Sequence, residues 1–197
     1  MVAEQSSQHL TVEEWRALEG ESIETKHEYI DGQVYLMAGG SRAHSLIAVN
    51  AVTILSTALA DGPCIAYNSD LATRLSPTRF AFPDVVVTCE ERDAATWQET
   101  EISAPRVVIE VLSEGTEAYD RGLKFSYYRA CPTIQEYVLV ATNRQAIEVY
   151  RRTDEGWGTF RVYGPGEEVE LSSIAVRFAL AAIYRRTDVP ETMLVIA

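Results

Sequence analysis

Two acids stand at strand positions of this chain, and a lysine follows one helix later. Phe82-Pro83-Asp84-Val85-Val86-Val87 places a carboxylate at the head of a β-branched run. Pro105-Arg106-Val107-Val108-Ile109-Glu110-Val111-Leu112-Ser113 places a second inside another, and Asp120-Arg121-Gly122-Leu123-Lys124 then supplies a cation. An ionised carboxylate in an apolar strand is costly unless something pairs it, and two side by side repel. A divalent cation that prefers hard oxygen ligands, such as Mg²⁺, relieves both costs. These spacings therefore point to a metal site. Taken without that partner, Asp84 reads as a strand-start acid capping a turn, and Glu110 as an edge-strand acid facing solvent. The apolar neighbours of both weigh against full solvation. Asp120 and Lys124, spaced i,i+4 on one helix face, read from spacing alone as an ordinary solvated ion pair of little energetic value.

The elements that must position these residues are legible in outline. Thr11-Val12-Glu13-Glu14 fits a capping box opening a short helix that carries Trp15 and Leu18. His27 to Met37 reads as a hairpin about the turn pair Asp31-Gly32. Ser41 follows Gly39-Gly40 as an N-cap, and apolar residues from Leu46 to Leu59 recur at helical spacing until Asp61-Gly62-Pro63 stops them. Strands are expected over 64–75, 82–89 and 106–112, with a polar loop over 91–104 that Trp97 anchors. A helix is expected over Thr116 to Tyr128, then strands from Ile134 to Val140 and Ala146 to Arg151. Trp157 to Tyr163 pairs with Val169 to Leu171 as a peripheral hairpin in this reading, and Ser173 to Tyr184 closes the fold as a helix. The architecture is α+β, a mixed central sheet flanked by a few helices.

Bulk properties set the frame. At 197 residues, with 47% hydrophobic and 23% charged content, the chain reads as one domain over 11–190 behind a frayed tail, residues 1–10. The polar N-terminus predicts no secretory signal, and no apolar run reaches membrane-spanning length. Cys64, Cys89 and Cys131 are odd in number and form no CxxC pair, so they read as reduced, buried thiols of a cytoplasmic protein. A net charge of −12 argues against tight nonspecific binding to nucleic acid, which depends on cations that neutralise phosphates. Gly39-Gly40-Ser41 lacks the lysine of a phosphate loop and is explained by a helix cap.

Several stretches taken in order resemble the Uma2-type family (domain of unknown function 820) of restriction-endonuclease-like proteins. They are Glu28-Tyr29-Ile30-Asp31-Gly32, Met37-Ala38-Gly39-Gly40-Ser41 with His44, Pro83-Asp84-Val85, Glu110-Val111-Leu112-Ser113, Asp120 with Lys124, and Glu136-Tyr137. The resemblance implies a PD-(D/E)xK core whose lysine has moved from the Leu112 position, where the broader signature carries it, onto the following helix. Asp84, Glu110 and Glu28 would then hold Mg²⁺ or Mn²⁺, and Lys124 would orient water or stabilise charge on a phosphate. His44 matches a family histidine near the site. DNA is the substrate the resemblance implies, and a homodimer the assembly that goes with the fold.

Two other functions compete. A nuclease fold kept as an inactive binding or assembly protein fits the net acidity. A carboxylate-pair glycosidase fits less well, because a neighbouring lysine and buried strand acids suit a metal better than a sugar. Tyr127, Tyr128 and Tyr137 read as core or rim aromatics.

Overall fold

The computed structural model describes residues 9–22, 24–37, 39–95 and 98–191. Thr11 opens helix α1 (Val12–Glu21) through the expected capping box, its hydroxyl accepting from the Glu14 N–H while the Glu14 carboxylate accepts from the Thr11 N–H. Strands β1 (His27–Ile30) and β2 (Gln33–Leu36) form the expected hairpin. Asp31 at φ 49° and Gly32 at φ 93° supply the left-handed turn that an Asp-Gly pair favours. Leu10, assigned to the tail by sequence, is tied to this hairpin: its N–H donates to the Gly32 carbonyl and its own carbonyl accepts from the Tyr29 hydroxyl. Ser41 caps α2 (Arg42–Ala58) by accepting from the His44 N–H.

The following strands are β3 (Ile65–Asn68), β4 (Ala72–Ser76), β5 (Arg79–Ala81), β6 (Val85–Thr88), β7 (Glu101–Ile102) and β8 (Pro105–Val111). After them come β9 (Glu136–Val140), β10 (Ile147–Thr153), β11 (Gly156–Tyr163), β12 (Glu168–Leu171) and β13 (Val176–Ala179). The larger sheet runs β11-β10-β9-β8-β6-β3, antiparallel except for the β8–β9 pair. The smaller runs β2-β1-β5-β4-β7. The chain passes from the smaller sheet to the larger at Phe82-Pro83-Asp84. Pro83 has no N–H to give a ladder, so neither sheet can claim this segment.

Alternation within β6 and β8 buries the larger sheet on both faces. Val85, Val87, Val107, Ile109 and Val111 share a core with Ile47, Ala51 and Leu55 of α2. Val86, Val108 and Leu112 pack on the opposite face with Phe125 and Tyr128. These two aromatics belong to α5 (Phe125–Ala130), which continues α4 (Glu117–Tyr119) through a π-helical turn, Asp120–Lys124. Glu110 lies in register with Val108 and Leu112, so it faces this helical segment.

Five expectations need correction. The single strand over 64–75 is split, because the Asn68 side chain folds back to accept from the Asp70 N–H at 3.2 Å. The loop over 91–104 contains a short helix, α3 (Glu91–Ala95), and strand β7. Strand β11 pairs with β10, and β12 pairs with β13, so the peripheral hairpin has other partners than expected. The closing helix over 173–184 is instead a 3₁₀ turn (Ser172–Ile174), strand β13 and the four-residue α6 (Leu180–Ile183). Ala175 at φ 55° breaks the helical path there, and the buried Glu136 carboxylate accepts from the N–H groups of Ser172 and Ser173. Finally, Cys64 and Cys89 are joined in a disulfide, while Cys131 is a free buried thiol. The pair flanks the β3–β6 ladder one step beyond Ile65 and Thr88, a juxtaposition that strand pairing creates and spacing hides. It also removes the argument from free thiols to a reducing compartment. The expectation for Trp97 lies outside the described residues. No helix among the described residues is long and apolar enough to cross a membrane.

Asp93 holds the α3–β7 connection to the sheet. Its carboxylate accepts from the Thr88 hydroxyl at 2.8 Å, from the N–H groups of Ser103 and Ala104 at 3.0 Å each, and from the Ser103 hydroxyl. Burial alone would raise this carboxyl, but the hydrogen bonds more than offset it and hold it below the ordinary Asp value. The unfolded chain therefore takes up a proton before the folded one does. Stabilisation by Asp93 is complete above the ordinary Asp range and is lost as pH falls through the lower folded value. Urea unfolding of Asp93→Ala at neutral pH is expected to show a loss of about 1–3 kcal/mol, shrinking toward acid pH.

Candidate active site

Asp84 stands at the point where the chain enters the larger sheet. Val85 pairs with Ile109, and extending that register by one residue sets Asp84 opposite Glu110. The strand pair thus brings together two carboxylates that are far apart in sequence. Asp84 Oδ2 accepts from the Val111 N–H at 2.7 Å, which fixes the side chain at the strand end, and lies 3.3 Å from His44 Nε2. His44 reaches it from the first turn of α2, so the Ser41 cap that starts the helix also places the imidazole.

Glu110 is 4% exposed. Its Oε1 accepts from the Tyr128 hydroxyl at 2.6 Å and from Lys124 Nζ at 2.8 Å. Lys124, 6% exposed, also reaches Glu28 Oε1 at 2.9 Å. Glu28 comes from the smaller sheet, where β1 pairs with β5, and its Oε1 accepts from the Phe82 N–H in the crossing segment at 3.3 Å. Lys124 is therefore no solvated partner of Asp120: it bridges carboxylates from two sheets. The π turn gives it and Asp120 their place, both buried, and the Tyr137 hydroxyl steadies that turn by donating to the Asp120 carbonyl at 3.0 Å.

All four residues expected from sequence, Glu28, Asp84, Glu110 and Lys124, line one cavity of about 430 Å³, together with Asp120 and His44. The roles of Tyr128 and His44 are not legible in their spacing. A weak signal exists for Tyr128, which lies one helical turn past Lys124 and so on its side of the helix. Tyr128 and Tyr137 are fully buried, in keeping with their reading as core aromatics.

Four carboxylates surround one ammonium here, so the electrostatics are unbalanced. Burial pushes the Glu110 carboxyl up to about 8; Lys124 pulls it down, while Asp120 and Asp84 push it further up. Asp120 is raised by burial, against the pull of Lys124. For Lys124, burial favours the neutral amine, but Glu110 and Glu28 outweigh it and hold the ammonium charged well past its ordinary range. His44 is likewise raised, since Asp84 overcomes the effect of burial.

Such a surplus of negative charge suits a divalent cation. The contacts above use Oδ2 of Asp84 and Oε1 of Glu110 and Glu28, and none of them uses Asp84 Oδ1 or either Oε2. The donor set is thus hard oxygen carried on or beside interior strands of two sheets, and it fits Mg²⁺ or Mn²⁺ in chemistry. Among the described residues no group of three acidic, histidine or cysteine side chains stands ready to hold an ion as arranged. Lys124 bridges two of the carboxylates in this arrangement.

The family model Uma2, described as "Putative restriction endonuclease", matches residues 12–194. The uncharacterized protein slr1290 of Synechocystis sp. is 44% identical over 81% of this chain and 84% of its own length. The uncharacterized protein sll1609 of the same organism is 28% identical over 85% of this chain and 95% of its own. Among solved structures, "a putative nuclease belonging to DUF820" from Anabaena variabilis superposes with a TM-score of 0.68 at 20% identity, covering 89% of this chain and 97% of that one. That likeness establishes the expected restriction-endonuclease-like α+β fold.

The raised Glu110 carboxyl has a consequence for stability. In metal-free buffer the folded protein keeps a proton on Glu110 that the unfolded chain releases near the ordinary carboxylate value, about 4. Stability should therefore fall as pH rises from that value toward about 8. Thermal unfolding of wild type across this range should show the decline, and Glu110→Gln should flatten it.

Proposed function

The chain belongs to the Uma2 family, and from that premise we propose that it is a Mg²⁺-dependent endonuclease that hydrolyses phosphodiester bonds of DNA. The observation that supports this best is that Glu28 and Glu110 meet on one charged lysine while Asp84 lines the same cavity. Asp84, Glu110 and Glu28 would hold the metal, Mg²⁺ or Mn²⁺, which when bound supplies Lewis acidity at the phosphoryl oxygens.

The chain's own residues do the rest. Lys124 is held as an ammonium, so it acts as a positive charge and hydrogen-bond donor for the phosphate or the attacking water and not as a base. Tyr128 and the Val111 N–H fix Glu110 and Asp84 respectively, so that neither carboxylate has to reorganise when charge develops. In the reaction a water oxygen bonds to phosphorus and gives up a proton to solvent, the bond to the leaving sugar oxygen breaks, and that oxygen takes up a proton from solvent. A homodimer in the cytoplasm goes with this reading by analogy with the fold.

One observation favours an inactive scaffold instead: Lys124 already answers the charge of both Glu28 and Glu110, which a fold without turnover could keep for stability alone. Cleavage of single-stranded and plasmid DNA with Mg²⁺ or Mn²⁺ separates the two. Wild type is expected to cut, and Asp84→Asn and Lys124→Ala to lose at least about a hundredfold in rate. Asp84→Asn is the cleaner variant, since Asp84 is the least buried of the set, and its folding is to be checked by circular dichroism. Cutting that survives both substitutions, or no cutting of either DNA by wild type, contradicts the proposal.

A further inference from the structure

The cavity that holds the candidate site has an uneven lining. Its polar floor carries Glu28, Asp84, Glu110 and Asp120 against Lys124 and His44. Its walls are apolar and aromatic: Tyr35, Leu36 and Met37 at the end of the hairpin, Phe82 in the crossing segment, and Tyr119 and Leu123 on the helical segment. Leu123 is 54% exposed, an apolar side chain kept at the mouth with solvent over it.

Three cations on the surrounding elements, Arg121, Arg79 and Lys26, already pair with acids. Arg121 is held by Glu148 through two hydrogen bonds at 2.6 and 2.7 Å, and by Glu117 at 2.8 Å. Arg79 is held by Asp31 at 2.6 Å, and Lys26 by Asp70 and the Ser69 carbonyl. Arg42, at the head of α2, is not part of the lining. A duplex presents two rows of phosphates and is held chiefly by side chains that neutralise them. This mouth offers acids and hydrocarbon instead. The reacting groups also lie deep: a phosphodiester reaches Lys124 only by entering the cavity, and a paired nucleotide would have to bring its partner strand with it.

An unpaired nucleotide meets neither obstacle. Its base has a neutral face that stacks on aromatic walls whatever its sequence. At about 430 Å³ the cavity lies within the range of small-molecule sites, roughly 300–1,000 Å³.

Resting on the nuclease reading above, we infer that the site takes single-stranded nucleic acid, one nucleotide seated at the carboxylates with its base against Tyr35 and Tyr119, and that it excludes an intact duplex. Three substrates test this with wild-type protein and Mn²⁺: a dT oligonucleotide, a blunt duplex of equal length, and bis(p-nitrophenyl) phosphate. The expected result is hydrolysis of the small diester, with the oligonucleotide cut at least about tenfold faster than the duplex. Tyr35→Ala should lower the oligonucleotide rate by about tenfold. Equal or faster cutting of the duplex overturns the single-strand assignment and leaves the nuclease standing. No hydrolysis of any of the three overturns both.

Discussion

A carboxylate taken into the buried face of a sheet must have its charge answered, and Glu110 is taken there by the pleat of β8. Ile109 and Val111 turn toward α2 and leave Glu110 facing the helical segment beside Val108 and Leu112. Lys124 and Tyr128 answer it from that segment, and Glu28 shares the lysine from the second sheet. Removing the lysine would leave two buried acids without a counter-charge, the costly way to break such a pair. The helical segment and the two sheets are thus locked to one another through a single ammonium. The π turn is the local deformation that goes with placing it there.

The same constraint explains why a lysine would not fit at the Leu112 position. At the Leu112 position the side chain belongs to the apolar core formed with Phe125, Tyr128 and Tyr137. An ammonium there would displace hydrocarbon from a packed layer. From the helix, Lys124 reaches the same carboxylate without breaching that layer. The crossing segment Phe82-Pro83-Asp84 serves a matching purpose: its backbone holds Glu28 through the Phe82 N–H, and its side chain supplies Asp84.

Much of this is legible in the sequence where local chemistry decides the structure. Asp31-Gly32, the Thr11–Glu14 box and the Ser41 cap each act within four residues, and each forms as expected. The acids Asp84 and Glu110 stand out because a charged group interrupts an apolar run. What stays hidden depends on which strands meet. Strand β11 reads equally well as a partner of β10 or of β12, and the Cys64–Cys89 pair exists only once β3 lies beside β6. Lys124 is the telling case. An i,i+4 acid–lysine pair carries the same spacing whether its face meets water or a sheet, so its burial cannot be read from the helix alone. Tyr128 is hidden for the same reason, since it touches its carboxylate across elements, and His44 stands out only through the family resemblance.

The account stands or falls on whether these carboxylates hold a divalent cation. Isothermal titration of Mn²⁺ into the metal-free protein tests this directly, with Asp84→Asn and Glu110→Gln as comparisons. A saturable heat in wild type that both substitutions remove is the predicted result. No heat in wild type, or the same heat in both variants, would contradict it and leave the cluster as a structural lock between two sheets.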